Sequence, residues 1–169
     1  FIQFQEGYPP ATVYDNGQYP FDIIVKLNNV GETPVSKKEV MVKISGIKPE
    51  DFGVNEKYLI KDGIDEDLEP TKKDAEGNII DGASIPVVFS NLSYLKKLEG
   101  NFNPPIRADV CYLYGTKAIT DICILENVLS TNKETVCTVD EEKKVFNSGG
   151  PVHVTNFKEV AGGKGKVRF

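Results

Sequence analysis

Pro20-Phe21-Asp22-Ile23-Ile24-Val25-Lys26-Leu27-Asn28-Asn29-Val30-Gly31 is the stretch whose reading decides the fold. Phe21, Ile23, Val25 and Leu27 fall two apart, so an extended backbone projects all four to one face; Asn29-Val30-Gly31 then closes the run with turn-forming residues. A helix would need apolar residues three and four apart, and that spacing is nearly absent here. The two-residue rhythm recurs outward in both directions. Upstream lies Phe1-Ile2-Gln3-Phe4-Gln5; downstream Val40, Val42 and Ile44 share a face, followed by Ile85 to Phe89, Ile106 to Tyr114, Ile119 to Leu125, Thr135 to Val139, Val152 to Phe157 and Lys166 to Phe169. Asp15-Asn16-Gly17, Gly46 with Pro49, Glu76-Gly77-Asn78 and Asp81-Gly82 punctuate these runs. We therefore expect an all-β chain: an antiparallel two-sheet immunoglobulin-like sandwich of about nine or ten short strands. The helix-like pieces are one turn near Pro49-Glu50-Asp51-Phe52 and a stretch from Leu92 to Leu98, too short to cover a sheet.

The chain of 169 residues is expected to form a single domain over 1–169, with 61–82 a polar, acidic insert and 158–169 a linker and terminal strand. Its net charge of −5 opposes a nucleic-acid partner, whose phosphates call for a basic face. No run approaches the length of a membrane span, and the opening on Phe1 without an apolar leader reads as a processed or excised piece. One histidine, His153, has no nucleophile motif near it, and nothing singles out a pair among the many carboxylates. No catalytic residue is expected and the chain is read as a non-enzyme.

Cys111, Cys123 and Cys137 form no CxxC pair, which argues against zinc and for a disulfide. Cys111 and Cys123 are symmetric about Lys117, and Cys123 and Cys137 about Ser130, so a hairpin could oppose either pair. Only the closer, non-hydrogen-bonded position of an antiparallel ladder suits a bridge with Cβ atoms roughly 3.5–4.5 Å apart, so Cys123 is expected to pair with one of the two. Asp62, Asp65, Asp67 and Glu69 pose the question of calcium, since hard cations take several flexible carboxylates. Counting from Asp65, however, Pro70 holds the sixth position of a helix-loop-helix calcium loop, where Gly is needed, and a solvated loop is the simpler reading. No other cofactor is expected. Asn91-Leu92-Ser93 is a glycosylation sequon with Asn91 as acceptor. Tyr112 and Tyr114 share a strand face and are read as sheet surface or core.

At the ends, Phe1, Ile2 and Phe4 and, beyond the glycine-rich 161–165, Val167 and Phe169 have strand character. Such strands either close the chain's own sheets or complete a neighbour's, and assembly strands are the expectation drawn from them.

The run Pro20 to Glu32, a strand entering an Asn-x-Gly corner, resembles the second-strand motif of immunoglobulin-like, CARDB-type domains of archaeal exported proteins. Val110 to Ala118, Asp121-Ile122-Cys123-Ile124 and Ser148-Gly149-Gly150-Pro151-Val152 resemble surface proteins of small-genome archaea that carry such sandwiches in tandem behind a membrane anchor. The resemblance implies an extracellular, cell-surface setting and a structural or adhesive role. The expected function is a subunit of a surface layer, filament or appendage, whose partners are copies of itself or neighbouring surface proteins. The alternative is a displayed binding module for polysaccharide or a partner protein.

Overall fold

The computed structural model describes residues 1–124, 137–138, 141–161 and 166–168. Where one domain over 1–169 was the expectation, the chain divides into two compact units, Phe1–Tyr114 and Gly115–Phe169.

The first unit contains β1 (Ile2–Phe4), β2 (Phe21–Asn28), β3 (Val40–Ser45), β4 (Ile60–Asp62), β5 (Lys72–Lys73), β6 (Ile79–Ile80), β7 (Ser84–Leu92) and β8 (Arg107–Tyr112). Two antiparallel three-stranded sheets, in the orders β1-β2-β7 and β4-β3-β8, carry the structure, and β5 and β6 form a small hairpin. Helix is confined to 3-10 turns at Lys37–Glu39, Pro49–Phe52 and Glu56–Leu59; Leu92 to Leu98 is not helical.

The alternation that suggested the strands also fixes which faces are buried. Phe21, Ile23, Val25 and Leu27 of β2 are buried with Ile85, Val87 and Phe89 of β7, and Val40, Val42 and Ile44 of β3 join the same hydrophobic cluster. Residues of both sheets thus share one core, completed by Phe52, Leu59, Leu92 and Tyr94. Each buried aliphatic or Phe side chain contributes about 1.5–3 kcal/mol, and a slip of one residue in either sheet would turn its apolar set to water. One irregularity interrupts the β2-β7 register, between Phe21 and Ile23, and Asn91 opposite it takes φ 63°. Asparagine is among the few residues that tolerate this left-handed backbone, a local reason for Asn91 apart from its sequon.

The Asn29-x-Gly31 corner ties the acidic insert to β2. Asn29 Nδ2 donates to the carbonyls of Thr33 and Leu68, at 3.0 and 2.8 Å, while Oδ1 accepts from the Gly31 N–H at 3.0 Å. A Cβ on Gly31 would lie 2.6 Å from the Tyr114 hydroxyl, and one on Gly82 would lie 2.0 Å from the Asn29 carbonyl. The backbone on both sides of Gly82 leaves no room for a side chain there, whereas at Gly31 the neighbour is the far end of a side chain that can shift. The insert, 61–82, holds the end of β4, an isolated bridge from Leu68 to Val35, and the β5-β6 hairpin.

The second unit contains β9 (Ala118–Ile119), β10 (Glu142–Lys143), β11 (Phe146–Asn147), β12 (Phe157–Lys158), β13 (Val160–Ala161) and β14 (Val167–Arg168), each two residues long. They pair antiparallel as β9-β11, β10-β12 and β13-β14. Among the described residues this unit buries Cys123 and Glu159, while Ile119, Ile124, Phe146 and Val152 stay exposed. Among the described residues its alternating runs leave their apolar side chains exposed; the strand expected from Ile119 is Ala118–Ile119, with Thr120 to Ile124 outside it, and Val152 to Asn156 is not a strand. Most of Thr135 to Val139 lies outside the described residues. Among the described residues there are fourteen strands, mostly short, where nine or ten were expected. The chain is all-β and antiparallel.

Candidate functional site

Two features of the first unit could meet a partner: the edges of its sheets, and an aromatic cleft. The edges differ in how they are protected, and backbone directions show it. In an antiparallel ladder alternate residues turn both N–H and C=O to the same side. Asn29 N–H donates to the Ala83 carbonyl, so odd-numbered residues of β7 before its irregularity face β2 and the even-numbered ones face outward. Pro86, lacking an N–H, sits in that outward row, the place where a sheet tolerates proline. Further along, Tyr58 Oη donates to the carbonyl of Ser90 at 2.7 Å, and Ser90 has no register partner on β2. The outer edge of β7 is thus blunted twice. β4 is three residues long and ends in Lys61 and Asp62, charges that discourage edge pairing.

β8 has neither the proline nor the tyrosine hydroxyl of β7, although Arg107 and Asp109 charge its outer face. Leu113 N–H donates to the Glu39 carbonyl at 3.2 Å, which with the register Cys111 to Met41 and Asp109 to Lys43 turns odd-numbered residues toward β3. Ala108, Val110 and Tyr112 therefore present N–H and C=O outward, and no strand among the described residues pairs with them. Beside this edge, Met41, Cys111, Tyr112 and Leu113 line a shallow apolar depression, with Tyr112 53% and Leu113 65% exposed. Tyr112 meets Tyr114 edge to face, ring centroids 5.9 Å apart. On the other sheet, β1 also ends its sheet and is three residues long; Phe1 is 69% exposed, Ile2 also exposed, and Phe4 half-buried against the core.

The second feature is a cleft of about 360 Å³ lined by Phe4, Pro9, Pro10, Phe21, Phe52, Tyr94, Phe102 and Pro104 among others. Its aromatic rings form a chain, with centroid separations of 6.1 Å for Phe21 and Phe52, 5.3 Å for Phe52 and Tyr94, and 6.3 Å for Tyr94 and Phe102. An adjoining cleft adds Lys48, Asp51 and Asn101. Asp51 takes a 2.7 Å ion pair from Lys96, and that hydrogen bond holds the Lys96 ammonium above the ordinary lysine range.

The cysteines settle into one bridge, Cys123 to Cys137, and an exposed free thiol, Cys111, on β8. Neither bridged residue lies in a strand, so the cross-strand geometry expected from symmetry is not how the two meet. The backbone N–H of Cys123 instead donates to Glu159 Oε2 at 2.9 Å. Lys143 Nζ lies 2.6 Å from Glu141 Oε1 and 3.6 Å from Glu159 Oε2, and also donates to the Thr138 carbonyl. Glu141 foremost, and then Glu159, hold this ammonium above the usual lysine range.

Two of the four acids considered for calcium, Asp67 and Glu69, have their carboxylates engaged by other groups. Asp67 Oδ1 accepts from the Lys37 N–H at 2.7 Å, Glu69 pairs with Lys72 at 3.0 Å, the carbonyl of Asp65 takes Lys37 Nζ, and Asp62 is exposed at the end of β4. No group of three metal-ligating side chains converges among the described residues. Asp74 accepts from the backbone and side chain of Asn78, and these bonds hold its carboxyl below the ordinary aspartate value. The Asn91 side chain is exposed. His153 is exposed in an irregular segment rather than in a strand. Val167 pairs with Ala161 within this same chain, a closure on itself rather than a free assembly strand, and Phe169 lies outside the described residues.

No family model, curated protein or solved structure matches the chain. No helix among the described residues is long and apolar enough to cross a membrane.

Neither the β8 edge nor the aromatic cleft was reached from sequence. The signals existed: Tyr8-Pro9-Pro10 and Asn103-Pro104-Pro105 are short Pro-rich segments flanked by aromatics, and Pro86 within an apolar run marks a strand edge.

Proposed function

We propose that the chain is a non-enzymatic, exported structural protein: a subunit or domain of a cell-surface layer, filament or appendage that assembles through its sheet edges. The observation that carries this is the unequal treatment of the edges. Proline and a tyrosine hydroxyl blunt β7, while β8 meets no partner strand among the described residues and lies beside an apolar depression, and β1 leaves Phe1 and Ile2 exposed. Natural sheets blunt edges against pairing, so an edge left open next to apolar surface is one that a partner covers. The finer fold reading is an immunoglobulin-like, CARDB-type sandwich, supported by two sheets that share one core. The disulfide supports an oxidising, extracellular setting. Electron microscopy of the purified chain tests the assembly, which requires ordered polymers or oligomers in oxidising buffer.

The alternative, a displayed binding module, draws on the aromatic cleft. Its volume falls in the range of small-ligand sites, and Asn103 at its wall and Asn101 in the adjoining cleft could take hydroxyls while the exposed Phe102 stacks on a sugar face. Glycan-array binding that is lost in Phe102→Ala tests this reading.

A further inference from the structure

We propose that β8 pairs antiparallel with β8 of a second copy about a two-fold axis through Ala108; this rests on the assembly reading above and specifies its contact. An isologous contact must be self-complementary, with residue i facing j and j facing i. The open edge is made by Ala108, Val110 and Tyr112. Centring on Ala108 lets the two Ala108 residues exchange hydrogen bonds, and sets each Val110 opposite Ile106 of the second copy, the residue that precedes the strand.

Charge selects this register over its neighbours. The outer face of β8 carries the exposed Arg107 and the half-buried Asp109, 3.1 Å apart at Nε and Oδ1 within one chain, and Asp109 Oδ2 also accepts from Ser45 Oγ at 3.0 Å. About Ala108, each Arg107 stands directly opposite Asp109 of the second copy, in the non-hydrogen-bonded position where cross-strand side chains come closest. Four charges then alternate in sign around the axis. A register centred on Asp109 would oppose two carboxylates, and one centred on Val110 would place Arg107 against Leu113. Charge complementarity on an unpaired edge therefore names the occupant as another copy of this chain.

Sedimentation velocity of the purified chain, compared with Arg107→Asp and with the double variant Arg107→Asp/Asp109→Arg, tests it. The single variant places carboxylates opposite each other and should weaken self-association by about tenfold or more. The double variant inverts both charges and should restore it. Circular dichroism, expected unchanged because both side chains lie on the face of β8 away from the core, separates this from misfolding. Association that is indifferent to Arg107→Asp, or not restored in the double variant, overturns the β8 pairing while leaving the assembly reading in place. A wild-type chain that stays monomeric overturns both.

Discussion

Tyr58 lends its hydroxyl to the carbonyl of Ser90, 2.7 Å away, and so occupies an acceptor on the strand whose donor row Pro86 already interrupts. One edge of the first sheet is closed by these two residues, and β8 has no counterpart of either. The combined variant Pro86→Val/Tyr58→Phe should therefore gain association through β7, read as increased light scattering at equal concentration. Scattering equal to the parent would show that these residues do not guard the edge.

Asn29 holds the insert to β2 through three hydrogen bonds, two donated by its amide nitrogen and one accepted by its oxygen. Asn29→Ala removes all three of these hydrogen bonds, although the Leu68 carbonyl keeps the Val35 N–H, and should cost about 1–3 kcal/mol, measured by urea unfolding. Amides of residues 68–83 should gain exchange first. A change within about 0.5 kcal/mol, the size of an ordinary surface substitution, would remove the corner from the account.

The second unit depends on its bridge. Cys123 and Cys137 are separated by 14 residues, and closing a loop of that size stabilises by about 3 kcal/mol in the chain-entropy estimate. With little apolar burial among its described residues, the double variant Cys123→Ser/Cys137→Ser should lose amide protection within Gly115–Phe169. The core strands β2, β3 and β7 should keep theirs. Equal loss in both units would contradict the separate accounts of their stability.

Hydrogen bonds from Asn78 favour the ionised Asp74, so its folded pKa lies below the ordinary 3.8. Its contribution to the β5-β6 turn is present above the unfolded value and is lost as pH falls through the folded one. The Asn78 amide should stay protected at neutral pH and open under acid before the core strands do, as seen by hydrogen exchange. Asp74→Asn should remove that pH dependence; persistence of it in the variant would assign it to another group.

How much could be read beforehand follows burial. Where alternation had a partner face, as in Phe21 to Leu27, Val40 to Ile44 and Ile85 to Phe89, the strands and their buried sides were legible from spacing alone. Past Tyr114 the same spacing misled, because Val152 and Val154 alternate without any surface to cover them. Alternation tells which residues can share a face, and only tertiary packing decides whether that face is used. The edges were illegible for a related reason. Whether Ala108 and Val110 face a neighbour strand is set by sheet order, a long-range property that β8 itself does not encode. The cysteines show both sides: the choice of Cys123 came from spacing, whereas its place beside Glu159 and the β10 residue Lys143 depends on long-range chain paths, since Cys123 itself lies in no strand.

Electron microscopy of the purified chain in oxidising buffer tests the central claim most directly. Assembly through open sheet edges predicts regular filaments, lattices or discrete oligomers with a repeating contact. A field of uniform monomers at concentrations where surface proteins assemble would contradict it, and would transfer the weight to the aromatic cleft.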